Sequence, residues 1–254
     1  MPAVPHRLAP DEPENDVREG RMGFLEHLDE LRTRIIRSCI AIGVGMLAAF
    51  AFVDRLADIV LTPIVGTLPP GSSLVFIRPG EAFSFYLNVA FIGGMLLAAP
   101  FVMYQVWGFI APGLYANEKK FLIPFVVLTS AGSVCGALFS QYLLFPGLMK
   151  FYGAFNSPRM RFMPGVEETV ELYMKMMIGM IVVFQIPTVV FFLAKMRLLT
   201  ARFLWRHFKY AILIIFIVAA VITPSQDPFS LFAMAIPMCL FYEGAILVGR
   251  LLKR

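Results

Sequence analysis

The chain has 254 residues, of which 59% are hydrophobic and 15% charged, and its mean hydropathy is +0.75. Soluble globular domains are about 45–50% apolar and about 25% charged, so this composition excludes an ordinary soluble domain and indicates a polytopic membrane protein. The net charge of +5 does not indicate a nucleic-acid partner, because the basic residues form short clusters between apolar runs. Such clusters are typical determinants of membrane topology.

The first segment, residues 1–22, is polar and mixes Pro, Asp, Glu and Arg. It lacks the apolar core and the small-residue cleavage site of a secretory signal peptide. We expect a disordered cytoplasmic tail, followed by one six-helix transmembrane domain over residues 23–254. Cys39, Cys135 and Cys239 lie inside apolar runs, and we interpret them as small buried side chains rather than as a disulfide framework.

Six apolar segments predict an all-α bundle of six transmembrane helices. A helix needs about 20 apolar residues to cross a hydrocarbon core of roughly 30 Å. We expect the fifth and sixth spans to be short, because the fifth reaches only roughly 20 Å at 1.5 Å per residue. The predicted spans cover about residues 35–53, 83–107, 121–145, 176–194, 210–222 and 231–249.

The distribution of Lys and Arg predicts the topology of these spans. Six spans place both termini on one side, and the segments on that side hold 16 of the 22 Lys and Arg residues. Because these residues are enriched in cytoplasmic loops, we expect both termini in the cytoplasm. The outward connections are then two long segments, residues 54–82 and 146–175, and a tight polar turn at residues 223–230.

Motifs for catalysis or cofactor binding are not found in this sequence. It has no phosphate-binding loop, no metal-ligand spacing and no nucleophile elbow, so we expect neither an enzyme nor a cofactor or metal. The alternative function is a secondary transporter for a small solute. That class predicts internal repeats and ionisable residues clustered at mid-membrane, and the sequence offers little of either.

The segment before the first span, FLEHLDELRTRIIRS, is an amphipathic helix with acidic and basic residues on one face. One interpretation is an ion pair between Glu30 and Arg34 at i,i+4, worth about 0.2–0.5 kcal/mol. The other is that Glu30 binds an incoming cation together with Glu118 from the second inward turn. A guanidinium suits such a site, because its fork matches a carboxylate.

Three stretches of the chain closely resemble the TatC family, the multispanning receptor subunit of twin-arginine protein translocation. They are HLDELRTRI from residue 27, YQVWGFIAPGLYANEKKF from residue 104, and TPSQDPFS from residue 223 followed by AIPMCLFYEGAILVGR. The resemblance extends over nearly the whole chain from about residue 22. It implies a receptor in the bacterial inner membrane that binds twin-arginine signal peptides of folded precursors at its cytoplasmic face. It further implies assembly with the single-span subunits TatA and TatB, a homo-oligomer within the complex, and transport driven by the proton-motive force.

The same resemblance assigns roles to residues near the inward surface. It implies that Glu30 and Glu118 are the carboxylates that receive the arginine pair. Phe109 corresponds to an aromatic residue that affects signal recognition in the family. Arg32 corresponds to the arginine that follows the first acidic motif, and we expect it to order the helix and its neighbours.

Gln185 lies inside the fourth span beside Pro187, which should kink the helix. TatC proteins often carry Glu at this place, so the neutral amide of this chain puts a proton-linked role in doubt. A helix–helix hydrogen bond, worth about 0.6 kcal/mol on average, and a contact with a partner helix both remain open.

Three further positions match the family. For Glu243 in the sixth span, two interpretations are equally open: packing within the bundle and contact with a partner subunit. Asp227, in the outward turn, matches a position tied to transport, although a helix N-cap is the favoured interpretation. We interpret Pro63 as shaping the extracytoplasmic cap.

The short fifth span leads to a hypothesis about the bilayer. A span shorter than the hydrocarbon core is accommodated by local thinning, by snorkelling or by association. Lys209 and the polar turn bound the fifth span, so it cannot recruit apolar residues from either end. We expect the fifth and sixth spans to keep the bilayer thin beside them, where the resemblance implies that TatA and TatB dock.

Overall fold

The computed structural model describes residues 24–110, 122–196, 199–223 and 227–251, and their regular structure is helical, as the composition predicts. The predicted tail over residues 1–22 lies outside the described residues. The helices are α1 (Phe24–Phe50), α2 (Val53–Val65), α3 (Glu81–Ile110), α4 (Leu122–Phe139), α5 (Phe145–Gly153), α6 (Val166–Val183), α7 (Gln185–Lys195), α8 (Ala201–Arg206), α9 (Phe208–Ile222) and α10 (Pro228–Leu251).

These helices confirm the predicted spans of a multi-pass membrane protein. Within the described residues, five helical stretches are long and apolar enough to cross a membrane, and α9 is a shorter apolar helix. The third span joins α4 to α5 through a π-helical turn, and the fourth joins α6 to α7. The short helix α8 lies between the fourth and fifth spans, where no helix is predicted.

The fifth and sixth spans differ in length. Helix α9 has 15 residues and is therefore about 22 Å long, which agrees with the predicted short span. Helix α10 has 24 residues and is longer than expected. It begins at Pro228 because Asp227 caps its first turn, so three residues outside the predicted apolar run are already helical.

Two glycines bring α1 and α3 into backbone contact. A Cβ atom added to Gly45 would lie 2.5 Å from the carbonyl oxygen of Gly94, and one added to Gly94 would overlap the backbone of Met46. Small residues allow such close approach of membrane helices. Helix α1 packs almost wholly against α3. Only 11% of the residues in its most apolar stretch are buried. Most of α1 therefore faces outward.

Two of the three cysteines also face outward, which corrects the prediction that all are buried. Cys39 and Cys135 are exposed, and Cys239 is half-buried. An apolar run does not distinguish the lipid-facing side of a span from its packed side, because both sides are apolar. Hydrophobicity alone therefore overestimates their burial.

The connections at the end of the bundle opposite the start of α1 form a cap. The backbone N–H of Val75 donates to the carbonyl of Pro164, and that of Val166 donates to the carbonyl of Val75. Arg78 Nη1 lies 2.7 Å from Glu167 Oε2, which ties the same two connections together. Helix α2, which contains Pro63, leads into this cap, and the role of Pro63 in shaping the cap stays a prediction.

A buried amide compensates for the proline inside α2. Proline has no N–H, so Pro63 cannot donate to the carbonyl of Ile59 one turn earlier. Gln141, which is buried in the π-helical turn, supplies the missing donor: its Nε2 donates to Ile59 O at 2.7 Å. The Tyr173 hydroxyl donates to Gln141 Oε1. This chain of hydrogen bonds joins the cap to the third and fourth spans.

Replacing Gln141 with Leu is expected to lower the free energy of unfolding by roughly 1–3 kcal/mol, since the Ile59 carbonyl loses its donor. In a Pro63→Ala background the N–H of residue 63 can bond that carbonyl, so the same replacement should cost less. A double-mutant cycle of unfolding in detergent measures the difference. Tyr173→Phe controls for the loss of the hydroxyl contact. An equal cost in both backgrounds would contradict the compensation.

Candidate functional site

An ion pair near the start of α1 reaches across to the end of α3. Arg34 donates to Glu30 Oε1 from Nε at 2.8 Å and from Nη2 at 2.5 Å. Its remaining nitrogen, Nη1, lies 3.4 Å from Oε1 of the buried Gln105. The side chains of Arg34 and Glu30 are only 21% and 17% exposed. The predicted i,i+4 pair is therefore present, and it is part of a contact between two spans.

Gly108 makes room for the Arg34 guanidinium. A Cβ atom at residue 108 would overlap Nη1 of Arg34, and it would lie 2.7 Å from Cζ. Any other residue there must displace the guanidinium. This glycine therefore positions Arg34, and through Arg34 it positions Glu30.

An aromatic pair lies beside the carboxylate. The rings of His27 and Phe109 stack with their centroids 4.3 Å apart and an interplanar angle of 12°. His27 Nδ1 is 3.8 Å from Glu30 Oε2, which is too long for a hydrogen bond. The stack thus brings Phe109 from the end of α3 into the neighbourhood of Glu30.

The two oxygens of Glu30 differ in their partners. Oε1 accepts both hydrogen bonds from Arg34, whereas Oε2 is buried and has no hydrogen-bond partner among the described residues. A buried carboxylate oxygen without a donor is costly. Glu30 therefore has one acceptor position that no described residue satisfies.

Comparison with known proteins identifies the family. The family model described as Sec-independent protein translocase protein (TatC) matches residues 26–237. The chain belongs to the TatC family. It is 39% identical to TatC of Desulforapulum autotrophicum, over 91% of this chain and 86% of that protein. It is 38% identical to TatC of Koribacter versatilis, over 87% of this chain and 82% of that protein.

A crystal structure of a twin-arginine translocase receptor, TatC, has the same fold. Its TM-score to this chain is 0.81 at 32% sequence identity, and the match covers 90% of this chain and 100% of that one. The resemblance predicted from three short stretches is thus confirmed over most of the chain. Membership of TatC, a family of protein translocase components, also argues against the small-solute transporter.

The residues expected near the inward surface of this TatC-family chain have different positions. Glu30 and Phe109 come together through His27. Arg32 is exposed and makes no hydrogen bond or ion pair within residues 24–110, 122–196, 199–223 and 227–251. Arg34 makes the contact with α3, and the ordering role expected of Arg32 stays a prediction. Glu118 lies outside the described residues, so its role as the second carboxylate stays a prediction.

Sequence reasoning missed three members of the site. Gln105 and Gly108 lie inside the family stretch that contains Phe109, yet no helical periodicity marks them. His27 begins the first acidic motif, and its aromatic partner is distant in sequence. A buried polar amide in an apolar span is the one signal that could have drawn attention to Gln105.

Gln185 makes the predicted helix–helix hydrogen bond in a broken span. Helix α6 ends at Val183 and α7 begins at Gln185, two residues before Pro187. Gln185 Nε2 donates to Ser133 Oγ at 2.8 Å and to the carbonyl of Thr129 at 3.1 Å. Its Oε1 is buried and has no partner within the described part of the chain. A contact between this oxygen and a partner helix stays a prediction.

Asp227 caps α10, as the sequence favours. Its Oδ1 accepts from the backbone N–H of Ser230 at 2.8 Å, and Pro228 follows at the first helical position. Its Oδ2 accepts from Ser230 Oγ at 2.7 Å and from the Tyr152 hydroxyl at 2.8 Å. The rings of Phe151 and Phe229 stack beside this cluster with centroids 3.7 Å apart. Asp227 therefore ties the end of α5 to the start of α10.

Glu243 is exposed on α10 rather than packed inside the bundle. Of the two interpretations open for it, this position favours partner contact. No group of three or more His, Cys, Asp or Glu side chains that could hold a metal ion occurs among the residues that the structure describes.

Proposed function

We propose that this chain is the receptor and core subunit of twin-arginine protein translocation. It binds the twin-arginine signal peptides of folded precursors at the cytoplasmic face of the bacterial inner membrane, with both of its own termini in the cytoplasm. It assembles with TatA- and TatB-type subunits and with further copies of itself. The proton-motive force drives the transport.

The observation that carries this proposal is the free oxygen of Glu30. Arg34 already shows that the surroundings of this carboxylate accommodate a guanidinium, held by two hydrogen bonds on Oε1. The buried Oε2 is left for an arginine of the guest peptide. Charge-assisted pairs of this kind are stronger than neutral hydrogen bonds. Glu118 supplies the negative charge for the second arginine.

The aromatic pair contributes the other half of the recognition. The rings of His27 and Phe109 form a face-to-face stack next to Glu30. Guanidinium groups stack on aromatic faces, and ammonium groups lack the planar fork that does so. The site therefore favours a pair of arginines over a pair of lysines.

The test is photo-crosslinking from residue 109 in native membranes that contain the full set of subunits. Phe109 is replaced by a photoreactive phenylalanine analogue, which keeps an aromatic ring beside His27. A twin-arginine precursor should be captured, and a twin-lysine precursor should be captured more weakly. The same analogue at Phe229, at the opposite end of the bundle, is the control. Equal capture of both precursors, or capture from residue 229 alone, would overturn the proposal.

A further inference from the structure

One oxygen of Glu30 is closed off from solvent. Its Oε2 is buried and has no hydrogen-bond partner among the residues that the structure describes. A donor from another molecule cannot reach a buried oxygen unless a neighbouring group moves first. Binding of a guest guanidinium at this oxygen therefore requires an opening step.

His27 lies where a guest cation would have to lie. Its ring stacks on the ring of Phe109, with the centroids 4.3 Å apart and an interplanar angle of 12°. Its Nδ1 is 3.8 Å from Glu30 Oε2. The imidazole thus covers one face of Phe109 and lies next to the buried oxygen at the same time. It occupies the space that a cation needs in order to touch both.

His27 makes only one of the two contacts that this position offers. It stacks on Phe109, but a distance of 3.8 Å is too long for a hydrogen bond, so Glu30 Oε2 is left without a donor. A buried acceptor without a partner is costly. A guanidinium can stack on an aromatic face and donate an N–H as well. A guest arginine is therefore better suited to this position than His27.

His27 can leave this position without a change in the backbone. Its side chain is 43% exposed, and it belongs to the first turn of α1, so rotation of its side-chain bonds moves the ring into water. Other contacts keep α1 on α3. Arg34 reaches Gln105, and Gly45 lies against Gly94. Departure of the ring therefore does not separate the two helices.

We propose that His27 is a placeholder for the guest arginine, which covers Glu30 and Phe109 until a guanidinium displaces it. The inference rests on the proposed function and names the step that admits the signal peptide. Arg34 stays on Oε1 of Glu30, and the guest takes Oε2. The closed arrangement lowers the affinity for a guest, because apparent affinity scales with the fraction of chains whose site is open.

Two other roles for His27 have the opposite consequence. If the stack served only to fasten α1 to α3, its loss would loosen Glu30 and weaken binding. If the guest arginine were added to the outer face of the His27 ring, loss of the ring would also weaken binding. Displacement alone predicts tighter binding when the ring is removed. The sign of the change in affinity therefore separates the placeholder from both alternatives.

The test is titration of a labelled twin-arginine signal peptide on native membranes that contain the full-length chain and the full set of subunits. His27→Ala removes the ring and should lower the apparent Kd about 2- to 10-fold, the range of one aromatic pair. His27→Phe keeps a ring on Phe109 and should bind no more tightly than the unchanged chain.

Thr33→Ala is the matched control for an effect on the helix itself. Thr33 is an exposed residue of α1, and His and Thr have similar helix propensities. A gain in affinity that came from a more stable helix would therefore appear in Thr33→Ala as well. We expect this variant to bind the peptide as the unchanged chain does.

Labelling of carboxyl groups gives an independent readout in membranes without a signal peptide. A water-soluble carbodiimide couples an amine to accessible carboxylates, and tandem mass spectrometry locates the label. Asp29 is exposed and serves as the internal reference. The labelling of Glu30 relative to Asp29 should rise in His27→Ala by the same factor as the affinity, and it should stay low in His27→Phe.

Equal or weaker peptide binding by His27→Ala, or an equal gain in His27→Phe, would overturn the placeholder while the proposed function stands. An unchanged labelling ratio in His27→Ala would show that the ring does not cover Glu30, and it would overturn the placeholder too. If the unchanged chain does not bind the twin-arginine peptide at all, the proposed function fails, and the inference fails with it.

Discussion

Replacing Glu30 with Gln is expected to weaken binding of a twin-arginine signal peptide by about 10- to 100-fold. A hydrogen bond to a charged group contributes about 1.5–3 kcal/mol, and every 1.4 kcal/mol is a factor of ten in affinity. The amide keeps the shape of the side chain but removes the negative charge that faces the guest. Adding Glu118→Gln removes the second carboxylate, so the double variant should abolish capture of the precursor.

Crosslinking of the precursor to each variant in membranes of equal protein content measures this loss. Asp29→Asn is the matched control. Asp29 is the exposed neighbour of Glu30, so this substitution removes the same charge from the same helix. It should bind the precursor nearly as well as the unchanged chain. Expression and membrane insertion should stay near normal for all variants. A double variant that still captures the precursor would remove the basis of the assigned site.

Lengthening α9 by four leucines is expected to block transport while signal binding stays intact. The helix has 15 residues and reaches about 22 Å, whereas the hydrocarbon core is about 30 Å thick. Four residues add about 6 Å, which brings the span close to the normal thickness. The hypothesis is that the short span thins the bilayer beside it and so lowers the barrier for a folded substrate. The lengthened span should remove this thinning and restore the barrier.

Export of a folded reporter and crosslinking of its signal peptide measure the two activities separately. The control replaces four exposed residues of α9 with Leu at constant length: Ile214, Ile217, Val218 and Val221. This control changes the composition of the lipid-facing side of α9 but not the length of the helix. Unchanged export by the lengthened chain would show that the thin-bilayer hypothesis is wrong.

The spans could be predicted because their signal is local. Twenty or so apolar residues in a row predict a membrane helix without any knowledge of its neighbours. The Glu30–Arg34 pair is equally local, since four residues make one helical turn. The N-cap of α10 is local too, because Asp227 and Ser230 are three residues apart. Each of these is confirmed by the structure.

The rest of the site depends on contacts between distant residues. Gln105 is 71 positions from Arg34, and Gln141 is 82 positions from Ile59. A periodic sequence pattern does not show which side chain supplies a donor to a given carbonyl. That pairing is visible only when the two helices lie side by side in the structure. The same applies to Gly108, whose missing side chain matters only because a guanidinium from another span occupies that space.

The crossing of α1 and α3 at Gly45 and Gly94 has a mechanical consequence. Near its start, α1 is held to α3 a second time, where the Arg34 guanidinium occupies the space that Gly108 leaves. Two separate contacts fix the tilt of a helix as well as its position. Glu30 lies 15 residues from Gly45, about 22 Å along the axis. A side chain added at Gly45 would therefore separate the helices at one contact only, and the resulting tilt would shift Glu30 relative to Gln105.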